Sequence, residues 1–118
     1  MPTAAEVEEG VLRWLRSVPA LDADEMRGHG HDPEDPDLIR LDIDGRTRWP
    51  AFQFADDGAP LQIVRTINRM LDVADDPVGV TDWWLQRNSR IGDAPAHLIG
   101  TLPDEHLIAL ARTGLSDT

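Results

Sequence analysis

The chain has 118 residues, with 22 Asp or Glu against 11 basic residues, all of them arginine, for a net charge of −11. That balance repels phosphate backbones, so DNA binding is disfavoured without help, and the absence of cysteine removes disulfides, zinc–thiolate sites and thiol nucleophiles. No apolar run approaches the roughly 20 residues of a membrane span, so no membrane partner is expected and the cytoplasm is the expected compartment.

Thr3 and Glu6 form a T-x-x-E capping box, after which Val7, Val11, Trp14, Leu15 and Val18 recur at helical spacing. A helix over 4–17 is therefore predicted, followed by a turn at Ser17–Ala20. Asp22 and Glu25 repeat the capping logic for a short helix closed by Gly28. Gly28–Asp37 (G-H-G-H-D-P-E-D-P-D) reads as a hydrated loop. His29 and His31 sit there among carboxylates, but prolines and exposed acids do not hold ligands in fixed geometry, so no metal is expected.

Leu38–Ile43 alternates, with Ile39, Leu41 and Ile43 on one face. Asp44-Gly45 is a type I′ hairpin signal, and Arg46–Trp49 is the return strand. Pro50 marks an edge or strand end, and Ala51–Phe54 continues extended, placing Phe52 and Phe54 together. A turn at 55–60 leads into a helix over 61–72, whose apolar side is Leu61, Val64, Ile67, Met70 and Leu71 with Ile63. Its exposed side carries Arg65, Asn68, Arg69 and Asp72. Asp75-Asp76-Pro77 opens a helix over 78–88 that holds Val80, Trp83, Trp84 and Leu85. Gly92 supplies a left-handed loop residue, Pro95 starts a short helix through Ile99, and a last helix from Pro103 stops at Gly114 before a frayed tail, Leu115–Thr118.

These elements define a mainly helical α+β fold: a bundle of short helices with one β-hairpin, about residues 38–54, packed on it. Residues 1–37 are an acidic helical region and loop, residues 38–118 a hairpin plus helical module, and together they make one compact domain. Val80 and Trp83 are three apart, which assigns Trp83 to the core and leaves Trp84 and Leu85 for a partner.

No phosphate loop, nucleophile elbow or H-E-x-x-H is present. Ser17, Ser89 and Ser116 lie in turns or the tail, and His97 and His106 read as boundary histidines. The chain is expected to have no catalytic residues, no cofactor and no enzymatic activity.

From Trp49 onward the motifs form an ordered set. Trp49-Pro50-Ala51-Phe52-Gln53-Phe54 is followed by Ile67-Asn68-Arg69-Met70-Leu71 and Asp76-Pro77. Trp83-Trp84-Leu85, Asn88 to Gly92, and Pro95 to Ile99 complete it. This order, over roughly 38–112, resembles the toxin-binding domain of Xre/MbcA/ParS-type antitoxins, partners of RES-domain toxins. The resemblance implies a non-enzymatic module that binds a RES-type protein toxin, which consumes NAD, and occludes its active site. It also implies homodimers, since members of that family often dimerise. The partner-facing or module-defining positions it carries over are Trp84, Leu85, Asn88, Ile91, Gly92, Pro95, Leu98 and Ile99. The family commonly adds an N-terminal helix-turn-helix for operator DNA, whereas residues 1–37 here are acidic and lack a basic recognition helix. The alternatives are a DNA-binding regulator using the N-terminal helices and hairpin, or an interaction protein outside any toxin pair.

Overall fold

A computed structural model describes the backbone of residues 4–116 and the side chains of 10–113. The Thr3–Glu6 capping box, the Val7 side chain and the end of the chain lie outside these. The architecture is α+β and mainly α, with five α-helices and a small antiparallel sheet among the described residues.

Helix α1 spans Ala4–Ser17 and turns Leu15 inward, with Trp14 half-buried beside it. Val11, expected on the same stripe, is 38% exposed, whereas Leu15 and the following Val18 are buried. Residues 18–21 do not form a simple turn. Ala20–Leu21 is a strand, β1, paired antiparallel with the hairpin. Helix α2, Ala23–Gly28, starts at the expected capping box: Asp22 accepts from the Glu25 N–H at 2.8 Å and Glu25 accepts from the Asp22 N–H at 3.2 Å. It lasts six residues and buries Met26. The two N-terminal helices are thus joined through a short docked strand.

The hairpin is β2, Leu41–Ile43, and β3, Arg46–Pro50. Asp44 (φ 54°) and Gly45 (φ 76°) both have positive φ, as a type I′ turn requires, and Ile43 pairs with Arg46 directly across it. The sheet order is β1-β3-β2, so β3 is central. Its two faces serve two apolar clusters. Leu41 and Ile43, with Ile39, join Leu15, Val64, Ile67, Val80, Trp84 and Leu107 in the main core. Trp49 instead joins Met26 and Leu38 in a smaller cluster beneath α2.

After Pro50 the chain tightens into a 3₁₀ turn, Ala51–Gln53, instead of continuing extended. This separates the two phenylalanines. Phe52 packs on the main core and Phe54 on the smaller one. Helix α3, Gln62–Met70, follows, and its exit is a Schellman turn. The Val73 N–H donates to the Asn68 carbonyl at 3.0 Å, the Asp72 N–H to the Arg69 carbonyl at 3.2 Å, and Asp72 takes the left-handed position at φ 58°. Helix α4 runs Pro77–Leu85, capped by Asp76, whose carboxylate accepts from the Gly79 N–H at 3.0 Å. A second 3₁₀ turn, Pro95–Leu98, leads to α5, Asp104–Ser116. α5 passes through Gly114 without stopping there, and Leu107, Leu110 and Ala111 are its buried side.

Candidate partner-binding surface

The motif residues divide into those that hold the module together and those that remain at its surface. Among the motif residues, three with polar groups lie fully inside: Gln53 and Asn68 have no exposed surface, and neither does the indole of Trp84. A buried amide or indole N–H left without a partner costs on the order of 1–3 kcal/mol, so each must be satisfied. They satisfy one another and the backbone. Gln53 Oε1 accepts from the Ile39 N–H at 2.6 Å, while its Nε2 donates to the Ile39 carbonyl at 3.1 Å and the Pro50 carbonyl at 3.2 Å. Asn68 Nδ2 donates to the Asp37 carbonyl at 2.9 Å and to Gln53 Oε1 at 3.2 Å. Asn68 Oδ1 then accepts from Trp84 Nε1 at 2.9 Å. These bonds join the 37–39 segment, the 3₁₀ turn, α3 and α4.

This arrangement reverses two sequence expectations. Trp84, expected to face a partner, is fully buried, with Phe52 against it at a centroid distance of 5.5 Å. Trp83, expected in the core, is only half-buried and meets Trp84 edge-on at 5.0 Å. The reason is chemical: both rings follow Val80 at helical spacing, but only Trp84 reaches an acceptor for its N–H. Asn68, placed on the exposed side of its helix by composition, is interior for the same reason. Its position was nevertheless legible, because Val64, Asn68 and Leu71 lie at i, i+4 and i+7 on one face.

An ion cluster flanks the network on the outside. Asp37 is 7% exposed and is gripped by Arg69 through both carboxylate oxygens, with Arg65 Nη2 at 3.5 Å. Arg65 also pairs with Asp35 at 2.9 Å. The hydrogen bond from Arg69 holds the Asp37 carboxyl below the ordinary range, aided by the charges of Arg69 and Arg65 against the opposing push of burial. Asp35 and Asp37, which read as loop acids, are thus the anchors of that loop.

Of the eight carried-over positions, Trp84 and Pro95 are interior. Leu85 and Ile99 are half-buried and pack on the main core along one side. Asn88 shapes the loop: its Oδ1 accepts from the Arg90 N–H at 2.9 Å, its backbone N–H donates to the Asp93 carbonyl at 3.0 Å, and its carbonyl accepts from the Gly92 N–H at 2.9 Å. Gly92, at φ 74°, makes that closure without strain and is exposed. Ile91 and Leu98 are half-exposed and do not pack on the main core. Between them, Asp93 Oδ1 accepts from the Ala94 N–H at 2.7 Å and contacts His97 Nδ1 at 2.9 Å. The His97 contact, then the Ala94 N–H, keeps the Asp93 carboxyl below its usual value. Of the carried-over positions, Asn88, Ile91, Gly92 and Leu98 therefore lie at the surface, and Leu85 and Ile99 are partly exposed there.

His29 and His31 extend the smaller core. His31 stacks on Phe54 at 4.9 Å and 17°, and on His29 at 5.7 Å and 21°. Among the described residues, no three of His, Asp and Glu gather as metal ligands. No helix among them is long and apolar enough to cross a membrane. No protein-family model, curated protein or solved structure matches the chain.

Proposed function

We propose that the chain is an antitoxin-like protein-binding module that neutralises a RES-type, NAD-consuming toxin in the cytoplasm by occluding its active site. The observation that carries this reading is the ordered motif set from Trp49 to Ile99, which resembles the toxin-binding domain of Xre/MbcA/ParS-type antitoxins. Two features of the geometry support it. The polar members of the set, Gln53, Asn68 and Trp84, meet in one buried network, as parts of one module should. The Asn88–Leu98 segment is punctuated by Gly92 and Pro95, so it presents Ile91 and Leu98 at low ordering cost, as an inhibitor of a concave site does.

The test is co-expression with a RES-domain toxin encoded beside it, reading complex formation by co-purification and cellular NAD as the output. The expected result is a stable complex and preserved NAD, both lost in an Ile91→Asp/Leu98→Asp variant that melts within a few degrees of the parent. A toxin that neither binds the chain nor is restrained by it removes the proposal. Sedimentation of the free chain reads the homodimer directly.

A further inference from the structure

We infer that the cleft lined by Arg46 and Arg48 on the hairpin is a binding site for a small phosphate-bearing anion. This inference uses none of the residues in the toxin reading and stands apart from it.

Residues 46 and 48 are two apart on β3, so their side chains share one face of the strand, opposite Ile43 and Leu41 of β2. Arg16, from the last turn of α1, comes over the same corner and is held by Asp44 of the turn, with Nε–Oδ2 at 2.8 Å and Nη2–Oδ1 at 2.9 Å. The cleft among Arg16, Ile43, Asp44, Arg46 and Arg48 has a volume of about 330 Å³. That is at the small end of ligand pockets. Its walls carry three guanidiniums and one carboxylate, which leaves two positive charges in a molecule of net charge −11.

Among the described residues, this corner brings together two arginines without a carboxylate within 4.0 Å, a condition that Arg13 and Arg87 meet singly elsewhere. With two acids for every base, Arg27, Arg40, Arg65 and Arg69 each have a carboxylate within ion-pair distance. Among the described residues, Arg46 and Arg48 have none within 4.0 Å, although Asp44 sits in the same cleft. Asp44 hydrogen-bonds Arg16 and feels the charge of Arg48 from a longer distance, so neither Arg46 nor Arg48 is tied to a carboxylate by a hydrogen bond. Arg48 is also half-buried, which weakens solvent screening of its charge. Two arginines lining a cleft of this size supply the charge and the paired N–H donors that a phosphate monoester or diphosphate takes up.

The surroundings select a short ligand over a long one. The adjoining depression shares Arg46 but is lined by Asp22 and Asp24. A nucleic-acid strand continuing past Arg46 would meet these two carboxylates, whereas a compact anion stays in the cleft, where arginines outnumber Asp44 three to one.

The experiment is a titration of the full chain with pyrophosphate at low and constant ionic strength, followed through the Arg Nε–Hε NMR signals. The expected result is saturable displacement of the Arg46 and Arg48 signals, with half-saturation below about 1 mM, and no change at Arg13 on α1. Arg46→Gln/Arg48→Gln weakens binding at least about tenfold. Arg46→Lys/Arg48→Lys keeps the charge and removes the forks, and is expected to weaken it severalfold; unchanged affinity in this pair overturns fork recognition. Drift that never saturates, or that is equal in parent and Gln variant, overturns the site. A single-stranded oligonucleotide that binds more tightly than pyrophosphate through the same two arginines overturns the small-anion assignment.

Discussion

The interior where α3 meets α4 and the Asn88–Leu98 segment beyond α4 are neighbours in sequence and opposites in construction. Inside, six hydrogen bonds among Gln53, Asn68, Trp84 and the backbone join four separate segments. Outside, the bonds are local, as in the Asn88–Asp93 loop, and the apolar side chains are half-exposed. The Trp83-Trp84 pair puts one ring in each regime. The difference teaches that the residues giving a motif its specificity can be the ones that hold it together. Here the amides and the indole bind the segments to one another, while plain aliphatics remain at the surface.

The largest expected effect tests which ring belongs to which regime. Trp84→Ala removes a fully buried ring and strands Asn68 Oδ1, so it should cost about 3–5 kcal/mol in urea denaturation, whereas Trp83→Ala should cost less than half as much. Equal costs would erase the division. Next, Gln53→Ala leaves the Ile39 N–H and carbonyl unpaired in the interior, and a loss of about 2–3 kcal/mol is expected by the same measurement.

The third prediction concerns acid. Asp37 has its pKa depressed in the folded state, chiefly by the hydrogen bond from Arg69. Its contribution is therefore complete above about pH 4, the range of a free carboxyl, and is lost as pH falls through the folded value. Stability measured from pH 6 down to pH 2 should fall less steeply in Asp37→Asn than in the parent. A parallel pair of curves would show that the ion cluster does not hold the network's outer side.

Smaller still is the effect on the presented surface. Leu98→Ser, at a half-exposed position off the main core, should change stability by less than about 1 kcal/mol. The smallest effect should be a gain: Asp72 occupies the left-handed position closing α3, and Asp72→Gly should stabilise by roughly 0.5–1 kcal/mol.

Much of the fold was legible in the chain. The alternation at Ile39, Leu41 and Ile43, the Asp44-Gly45 turn, the capping of α2, the acidic opening of α4 and the apolar side of α3 all follow from local rules, and the structure carries each. What was hidden depended on partners far away in sequence. β1 is two residues that become a strand only because β3 is beside them. Gln53 reads as an exposed strand residue until the chain turns into a 3₁₀ helix and faces it inward. The choice between Trp83 and Trp84 rested on an acceptor 16 residues away. Ile91 and Leu98 were named within the candidate surface, but nothing in their spacing separated them from buried Trp84 and Pro95. The arginine cleft was missed because its residues come from α1 and β3, although R-x-R on a strand beside a tight turn was there to be seen.

The Gln53 amide makes to Ile39 the same pair of bonds that a peptide group of a neighbouring strand would make, yet Ile39 lies outside any strand. A residue in an irregular segment ordinarily exchanges its amide hydrogen through small local openings. Here the Ile39 N–H can be released only by withdrawing Gln53, which also unseats Asn68 and Trp84. Its exchange should therefore follow global unfolding, so that one loop amide reports the stability of the whole chain.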